Sequence, residues 1–154
     1  MDLKVMLLKD HVLLHVEAAN RRDLLTAMAQ PLVKGKFVAD QDQFLMDVER
    51  REDQITTQIG RNIAIPHARS TTVRRLCLTV AIADGQGIAF SPQARNRCNL
   101  FFLIGIPALS PTAHLTLLQL LVHFANDAKR MEKLLASATP SQVVQNLTSF
   151  KPPT

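Results

Sequence analysis

The sequence contains neither tryptophan nor tyrosine, and phenylalanine occurs only seven times. Stacking of nucleobases on aromatic side chains therefore has few residues to draw on. Cysteine is also scarce. Cys77 and Cys98 form neither a CxxC motif nor a metal-ligand spacing. In a reducing compartment this pattern favours two small core residues over a disulfide.

Long apolar runs are missing as well. Charged residues and a histidine interrupt the apolar residues near the N-terminus, so the sequence does not predict a secretory signal. No segment approaches the roughly 20 apolar residues of a membrane span. We therefore expect a cytoplasmic protein that does not insert into a membrane.

The 154-residue chain is long enough to bury a core, and its 47% hydrophobic and 20% charged residues are ordinary for a globular protein. We expect a single domain over residues 1–154. The net charge of +5 and the pI of about 9.7 permit nucleic-acid binding. However, the basic residues occur in short clusters without a long basic arm, which favours a solvated surface and no nucleic-acid partner.

The N-terminal part of the chain predicts strand followed by helices. Residues 5–16 are rich in valine and leucine and favour one or two strands. Asn20 is a good N-cap for a helix that Pro31 should kink or break and Gly35 should end. A second helix is predicted from about residue 40 to Arg51.

The remaining patterns predict an α/β fold. Residues 76–83 and 99–106 are almost wholly apolar and predict buried strands. A short strand over 63–65 should end at Pro66, because proline cannot donate to a β-ladder. Strands alternate with helices without clean βαβ repeats, so we expect a single mixed β-sheet of about five strands flanked by helices on both faces. The other predicted segments are a loop at 55–60, a turn at 84–87, a short strand at 88–90, and helices at about 112–126, 128–135 and 141–147, the last capped by Ser141.

The stretch from Arg51 to His67 reads R-E-D-Q-I-T-T-Q-I-G-R-N-I-A-I-P-H and combines residues that suit phosphoryl chemistry. It places His67 just past a predicted strand end, where open α/β sheets bind ligands. A neutral imidazole is a nucleophile near pH 7 and can hold a phosphoryl group as a phosphoramidate. Arg51 is a candidate cation for the phosphoryl oxygens, and Thr56, Thr57 and His114 are candidate hydrogen-bond donors. Spacing alone, however, favours structural roles for both histidines and a surface role for the arginine.

The other three histidines carry no predicted chemistry. His11 and His15 are four residues apart in a segment that favours strand, where they would lie too far apart for a metal site. His123 lies nine residues past His114 on the predicted long helix, so it should face nearly the opposite side.

The pattern R-E-x-x-x-[ST]-T-x-I-G-x-x-I-A-I-P-H resembles the signature of the type-2 enzyme IIA domains of the bacterial phosphotransferase system. These are the fructose- and mannitol-type domains and their nitrogen-regulatory relatives. The apolar strand 100–106, followed by Pro107 and by His114 at the head of a helix, is similar to the second active-site region of the family. The resemblance covers about residues 20–147.

This resemblance implies a fold, an activity and partners. It implies that His67 is phosphorylated on Nε2 by a histidine phosphocarrier protein, either HPr or a nitrogen-type relative. His114 and Arg51 would stabilise the phosphoryl group, and no metal or organic cofactor would be required. The group would pass to a cysteine of a IIB domain, or its presence would regulate a target protein. The nitrogen-regulatory type is slightly favoured.

Four positions depart from the family pattern or add charge to it. Asn62 and Ala68 stand where the family usually has glycine. Asparagine tolerates a left-handed conformation, whereas alanine at a positive φ would reshape the loop beside the acceptor. Arg61 and Arg69 should make the site unusually basic. The alternative is therefore a non-phosphorylated binding or regulatory module that keeps the IIA fold.

Overall fold

The computed structural model describes residues 1–91 and 97–153. Six helices and six strands lie within these residues. The helices are α1 (Leu3–Met6), α2 (Arg21–Lys34), α3 (Gln41–Gln54), α4 (Leu115–Ala125), α5 (Ala128–Leu135) and α6 (Pro140–Thr148). The strands are β1 (Val12–Leu13), β2 (Gln58–Ile59), β3 (Ile63–Ala64), β4 (His67–Ser70), β5 (Cys77–Ile82) and β6 (Leu100–Pro107).

The strands form one sheet around β6. Its order is β1-β5-β6-β3-β2, and β4 also pairs with β6. The β5–β6 and β2–β3 pairs are antiparallel, whereas β1–β5, β3–β6 and β4–β6 are parallel. The predicted mixed sheet is therefore confirmed.

Helices cover both faces of the sheet, as predicted. Along β6, Leu100, Phe102 and Ile104 point into a core shared with α4, α5 and α6. The alternate residues Phe101 and Leu103 point into a second core formed with α2 and α3. Since successive strand side chains face opposite sides, a strand buried on both faces must be apolar throughout, which explains why this segment was recognisable from sequence.

Most of the strand predicted at residues 5–16 is wrong, and only Val12–Leu13 is confirmed as strand. This segment forms α1, a 3-10 turn (Lys9–His11) and only the two-residue strand β1. Leu3, Met6 and Leu7 are buried, whereas Val5 and Leu8 are 61% and 44% exposed. Burial at positions i, i+3 and i+4 is a helical pattern. The valine- and leucine-rich composition favoured strand, whereas the spacing of the apolar residues would have indicated a helix.

The predicted short strand does end before Pro66, as β3, but a further strand, β4, begins directly after it at His67. Ile63 pairs with Leu100 and His67 pairs with Ile104, so the chain keeps one register along β6 from β3 into β4. Pro66 lacks an N–H and interrupts the ladder, yet its carbonyl accepts a hydrogen bond from the Ile104 amide at 3.0 Å. His67 is therefore the first residue of β4 and does not lie in a loop after a strand end.

Helix boundaries follow their caps. The Asn20 side chain accepts a hydrogen bond from the Asp23 amide at 2.8 Å, and Gly35 is the C-cap of α2, as predicted. Pro31 lies inside α2 without ending it. Other boundaries differ from the prediction: α3 extends to Gln54, the loop at 55–60 contains β2, and α4 begins at Leu115. Thr139 instead of Ser141 caps α6, and the predicted strand at 88–90 is reduced to an isolated bridge at Ile88.

No helix within residues 1–91 and 97–153 is long and apolar enough to cross a bilayer.

Candidate functional site

Helix α3 lies against β4 and is held by an ion-pair cluster with α2. Arg21 donates from Nε to Glu49 at 2.9 Å and from an Nη to Asp53 at 2.9 Å. The Arg21 and Glu49 side chains are only 18% and 24% exposed, so their contact is less screened than an ordinary surface pair. The cluster fixes the helix that presents Arg51 to the adjacent strand.

An open cavity of about 400 Å³ lies where α3, β4 and the N-terminus of α4 meet. It brings together three of the predicted site residues, Arg51, His67 and His114, which are far apart in sequence. Thr56 and Thr57 are not among the side chains that line it. The described residues that line it are Asp47, Arg50, Arg51, Gln54, His67, Ala68, Arg69 and His114.

Sequence reasoning missed three polar residues of this cavity, Asp47, Arg50 and Gln54. All three lie on α3 at helical spacings from one another, so they share the helix face that also carries Arg51. This spacing was visible in the sequence. What was not visible was that this face of α3 meets β4.

His67 is partly buried, and its ring orientation is fixed by the backbone. Nδ1 lies 2.8 Å from the carbonyl oxygen of Ile65. Because a carbonyl can only accept, Nδ1 carries the proton and Nε2 carries the free lone pair. Burial lowers the pKa of His67, and the charges of Arg51 and Arg69 lower it further, although the Ile65 carbonyl opposes this. The imidazole is therefore neutral at pH 7.

His114 lies beside His67, with ring centroids 5.8 Å apart and planes inclined by 31°. It occupies the N-cap position of α4 and is 5% exposed. Its Nδ1 is buried without a hydrogen-bond partner among the described residues. Nε2 is therefore the ring nitrogen left for the cavity. Burial lowers the pKa of His114, and His67 and Arg69 lower it further.

Three guanidinium groups give the cavity a positive character. Arg51 donates from Nη1 to the carbonyl oxygen of Ile55 at 2.8 Å, which fixes its side chain at the end of α3. Arg50 and Arg69 are exposed. Among the residues that the structure describes, Asp47 is the only carboxylate that lines the cavity. Three cations against one anion favour a bound anion, and guanidinium groups match phosphate geometry.

The two threonines hold the backbone near the site. Thr57 is buried, and its hydroxyl donates to Oε1 of Glu52 at 2.6 Å. The Thr56 hydroxyl oxygen accepts from the Gln58 amide at 3.1 Å. This geometry favours a supporting role over direct contact with a phosphoryl group.

The departures from the family pattern have different structural consequences. Ala68 lies within β4 opposite Gly105 and has no positive φ, so the expected reshaping beside the acceptor does not occur. Asn62 has φ of 61°, as its residue type allows, and Arg61 has φ of 67°. The Arg61 guanidinium donates to the carbonyl oxygen of Ala125, outside the cavity lining. Of the two additional arginines, therefore, only Arg69 reaches the cavity.

The remaining candidate groups lie in the core or at the surface. Cys77 and Cys98 are free and buried, and burial raises the pKa of each thiol to about 12, which confirms them as core residues. His11 is buried, with Nδ1 3.2 Å from the Met6 carbonyl oxygen. In the part of the chain that the structure describes, no three His, Cys, Asp or Glu residues are grouped so that they could hold a metal ion.

Residues 5–149 match the family described as "Phosphoenolpyruvate-dependent sugar phosphotransferase system, EIIA 2". The chain belongs to this family. It is 35% identical over 111 residues to the fructose-specific EIIA component of the phosphotransferase system of Haloferax volcanii, covering 71% of this chain and 70% of that protein. It is 26% identical over 152 residues to the 2-O-alpha-mannosyl-D-glycerate-specific EIIABC component of Escherichia coli, covering 96% of this chain. The chain spans only 22% of that second protein.

Solved structures of other EIIA proteins share this fold. The nitrogen regulatory protein IIA-Ntr from Neisseria meningitidis has a TM-score of 0.81 and 19% identity, covering 93% of this chain and 97% of that one. Enzyme IIA mannitol of Escherichia coli, in complex with phosphorylated enzyme IIB mannitol, has a TM-score of 0.77 and 19% identity, covering 92% and 96%. At these identities the likeness establishes the fold alone.

Proposed function

We propose that the protein accepts a phosphoryl group on Nε2 of His67 from a phosphohistidine carrier protein and passes it to a further partner. One observation carries this proposal. The hydrogen bond from Nδ1 to the Ile65 carbonyl oxygen, 2.8 Å long, leaves the Nε2 lone pair as the nucleophile. That ring belongs to a cavity lined by three arginines and a second imidazole.

The transfer needs no proton movement on His67. The Nε2 lone pair attacks phosphorus as the bond from phosphorus to the donor's histidine nitrogen breaks, and that electron pair returns to the donor ring. Nδ1 keeps its proton, and the Ile65 carbonyl stabilises the positive charge that develops on the imidazole of His67. Arg51, Arg69 and the N–H of His114 face the charge on the phosphoryl oxygens.

The surroundings of the cavity suit a protein partner. Met46, Ile55 and Leu115 are each adjacent in sequence to a cavity-lining residue, and they are 49%, 72% and 50% exposed. Leu109, in the loop before α4, is 98% exposed. Exposed apolar residues on the same elements as a polar cavity suit a docking surface. A protein donor such as HPr and a protein acceptor such as a IIB domain would both use it, in the cytoplasm.

We further propose that the acceptor is a IIB cysteine of a sugar-type system. Relatives at 26% and 35% identity are named for sugar specificity, whereas IIA-Ntr resembles this chain at 19% identity. This changes the preference drawn from sequence alone, which was for the nitrogen-regulatory type. The alternative of a non-phosphorylated binding module loses its main motive, because Ala68 does not disturb the backbone beside His67.

Intact-mass spectrometry at alkaline pH tests the proposal. The protein is incubated with phosphoenolpyruvate, enzyme I and either HPr or the nitrogen-type carrier. We expect an acid-labile gain of one phosphoryl group, absent in His67→Ala and present in His123→Ala, the matched control at an exposed histidine. Preference for HPr supports the sugar branch, and preference for the nitrogen-type carrier overturns it. Equal phosphorylation of His67→Ala and of the wild-type protein would refute the assignment of His67 as the acceptor.

A further inference from the structure

The buried carboxylate of Glu52 is not used by the transfer step described above. Glu52 lies in the last turn of α3 and is only 3% exposed. Burial raises the pKa of this carboxyl group, and the hydrogen bonds from Thr57 oppose that shift. Burying an acidic group is unfavourable unless it is well hydrogen-bonded, so its contacts should explain why it is there.

Both carboxylate oxygens of Glu52 accept from one residue. The Thr57 amide donates to Oε2 at 2.6 Å, and the Thr57 hydroxyl donates to Oε1 at 2.6 Å. A bidentate contact of this kind fixes the position of the Thr57 peptide, and charge-assisted hydrogen bonds are stronger than neutral ones.

Thr57 in turn holds Ile65. The Ile65 amide donates to the Thr57 carbonyl oxygen at 3.2 Å. The following residue, Pro66, has no N–H and interrupts the ladder with β6 at this point. The hydrogen bond to Thr57 therefore restrains the backbone at Ile65, whose carbonyl oxygen accepts from Nδ1 of His67 at 2.8 Å.

We propose that Glu52 is a positioning residue for His67, acting through Thr57 and Ile65 to hold the Nδ1-protonated tautomer with Nε2 directed into the cavity. The inference rests on the proposed function of His67. It adds that the reactivity of the acceptor depends on a carboxylate that touches neither the imidazole nor the phosphoryl group. If Glu52 served only to stabilise the C-terminal end of α3, its removal would lower the stability of the protein and leave the tautomer of His67 unchanged.

The test combines a spectroscopic and a kinetic measurement on the full chain. Long-range proton–nitrogen correlation spectra of unphosphorylated, ¹⁵N-histidine-labelled protein report which nitrogen of His67 carries the proton. In Glu52→Ala we expect a mixture of tautomers and phosphorylation by HPr that is about 10- to 100-fold slower, since small misplacements of reacting groups have effects of that size. Glu52→Gln keeps an acceptor for the Thr57 amide and should restore the wild-type tautomer and most of the rate.

Glu49→Ala is the matched control. It removes one of the two carboxylates that Arg21 contacts, one turn earlier on α3, so it should reduce stability without changing the tautomer of His67. If Glu52→Ala does not fold, Thr57→Val removes only the hydroxyl contact and should still give a detectable second tautomer and slower phosphorylation. A wild-type tautomer and rate in a folded Glu52→Ala protein, or in Thr57→Val, would overturn the inference. The spectra need no phosphoryl donor, so a failure of the proposed function would be seen separately, as absent labelling of the wild type.

Discussion

Replacing His114 by glutamine and by asparagine separates the two nitrogens of its ring. Glutamine carries its amide group at about the distance of Nε2 from the backbone, and asparagine carries it at about the distance of Nδ1. The structure places Nδ1 in a buried position without a partner among the described residues and leaves Nε2 for the cavity. Only glutamine can therefore supply an N–H to the phosphoryl oxygens.

The expected magnitudes follow from this geometry. Loss of one donor to a developing oxyanion slows a reaction by about 10²- to 10³-fold, so His114→Asn should be slower than wild type by that factor, and His114→Gln by less than about 10-fold. Asparagine also places an amide where no partner exists, which costs about 1–3 kcal/mol and roughly 2–4 °C of melting temperature per kcal/mol.

Rapid-quench mass spectrometry with the phosphorylated carrier gives the transfer rates, and calorimetry gives the stabilities. Similar rates for the two variants would show that Nε2 donates nothing to the transfer. His114→Ala should remain phosphorylatable but slow, which would distinguish a stabilising role from that of the acceptor.

Two further predictions concern stability. Gly105→Ala should destabilise the protein by about 1–3 kcal/mol, because the added Cβ would lie 2.8 Å from Sγ of Cys77 in a packed core. Thermal unfolding checks this against Gly60→Ala, where no atom lies within 4 Å, and an unchanged melting temperature in Gly105→Ala would refute the packing argument. Burial lowers the pKa of His11 from its ordinary value of 6.5, so below that pH the unfolded chain takes up a proton that the folded protein excludes. The folded protein therefore loses stability as the pH falls from above 6.5 through the folded pKa of His11. The free energy of unfolding of His11→Gln should therefore depend less on pH in that range than that of the wild type, with His123→Gln as the control. If His11→Gln had the same pH dependence as the wild type and the control, His11 would not be the group responsible.

The parts of the fold that could be predicted are those where local chemistry decides. Asn20 caps α2 through its own side chain. Strand β6 is apolar throughout, and β5 is apolar except for Thr79, because both faces of the sheet are covered. Strand β4, directly after Pro66, could not be predicted, because it depends on the register with β6, a long-range partner. Residues 5–16 were misjudged because their composition favours strands while the burial of Leu3, Met6 and Leu7 follows a helical spacing.

The site was predictable only in part for a related reason. His67, His114 and Arg51 were identified through their resemblance to a family motif, since nothing in their spacing showed that they converge. Arg50 was missed because its role in the cavity depends on which face of α3 meets β4. Arg61 was placed at the site from its nearness in sequence, but its left-handed backbone turns the side chain toward the end of α4.

Strand β6 positions His67 and His114 in different ways. His67 is paired to it at Ile104, inside the sheet, whereas His114 is reached only after β6 ends and the chain crosses the exposed loop 108–113. An insertion or deletion in that loop would move the second imidazole while leaving the first in register. Under the proposed function, such a change would alter the rate of phosphoryl transfer without altering the strand that presents His67.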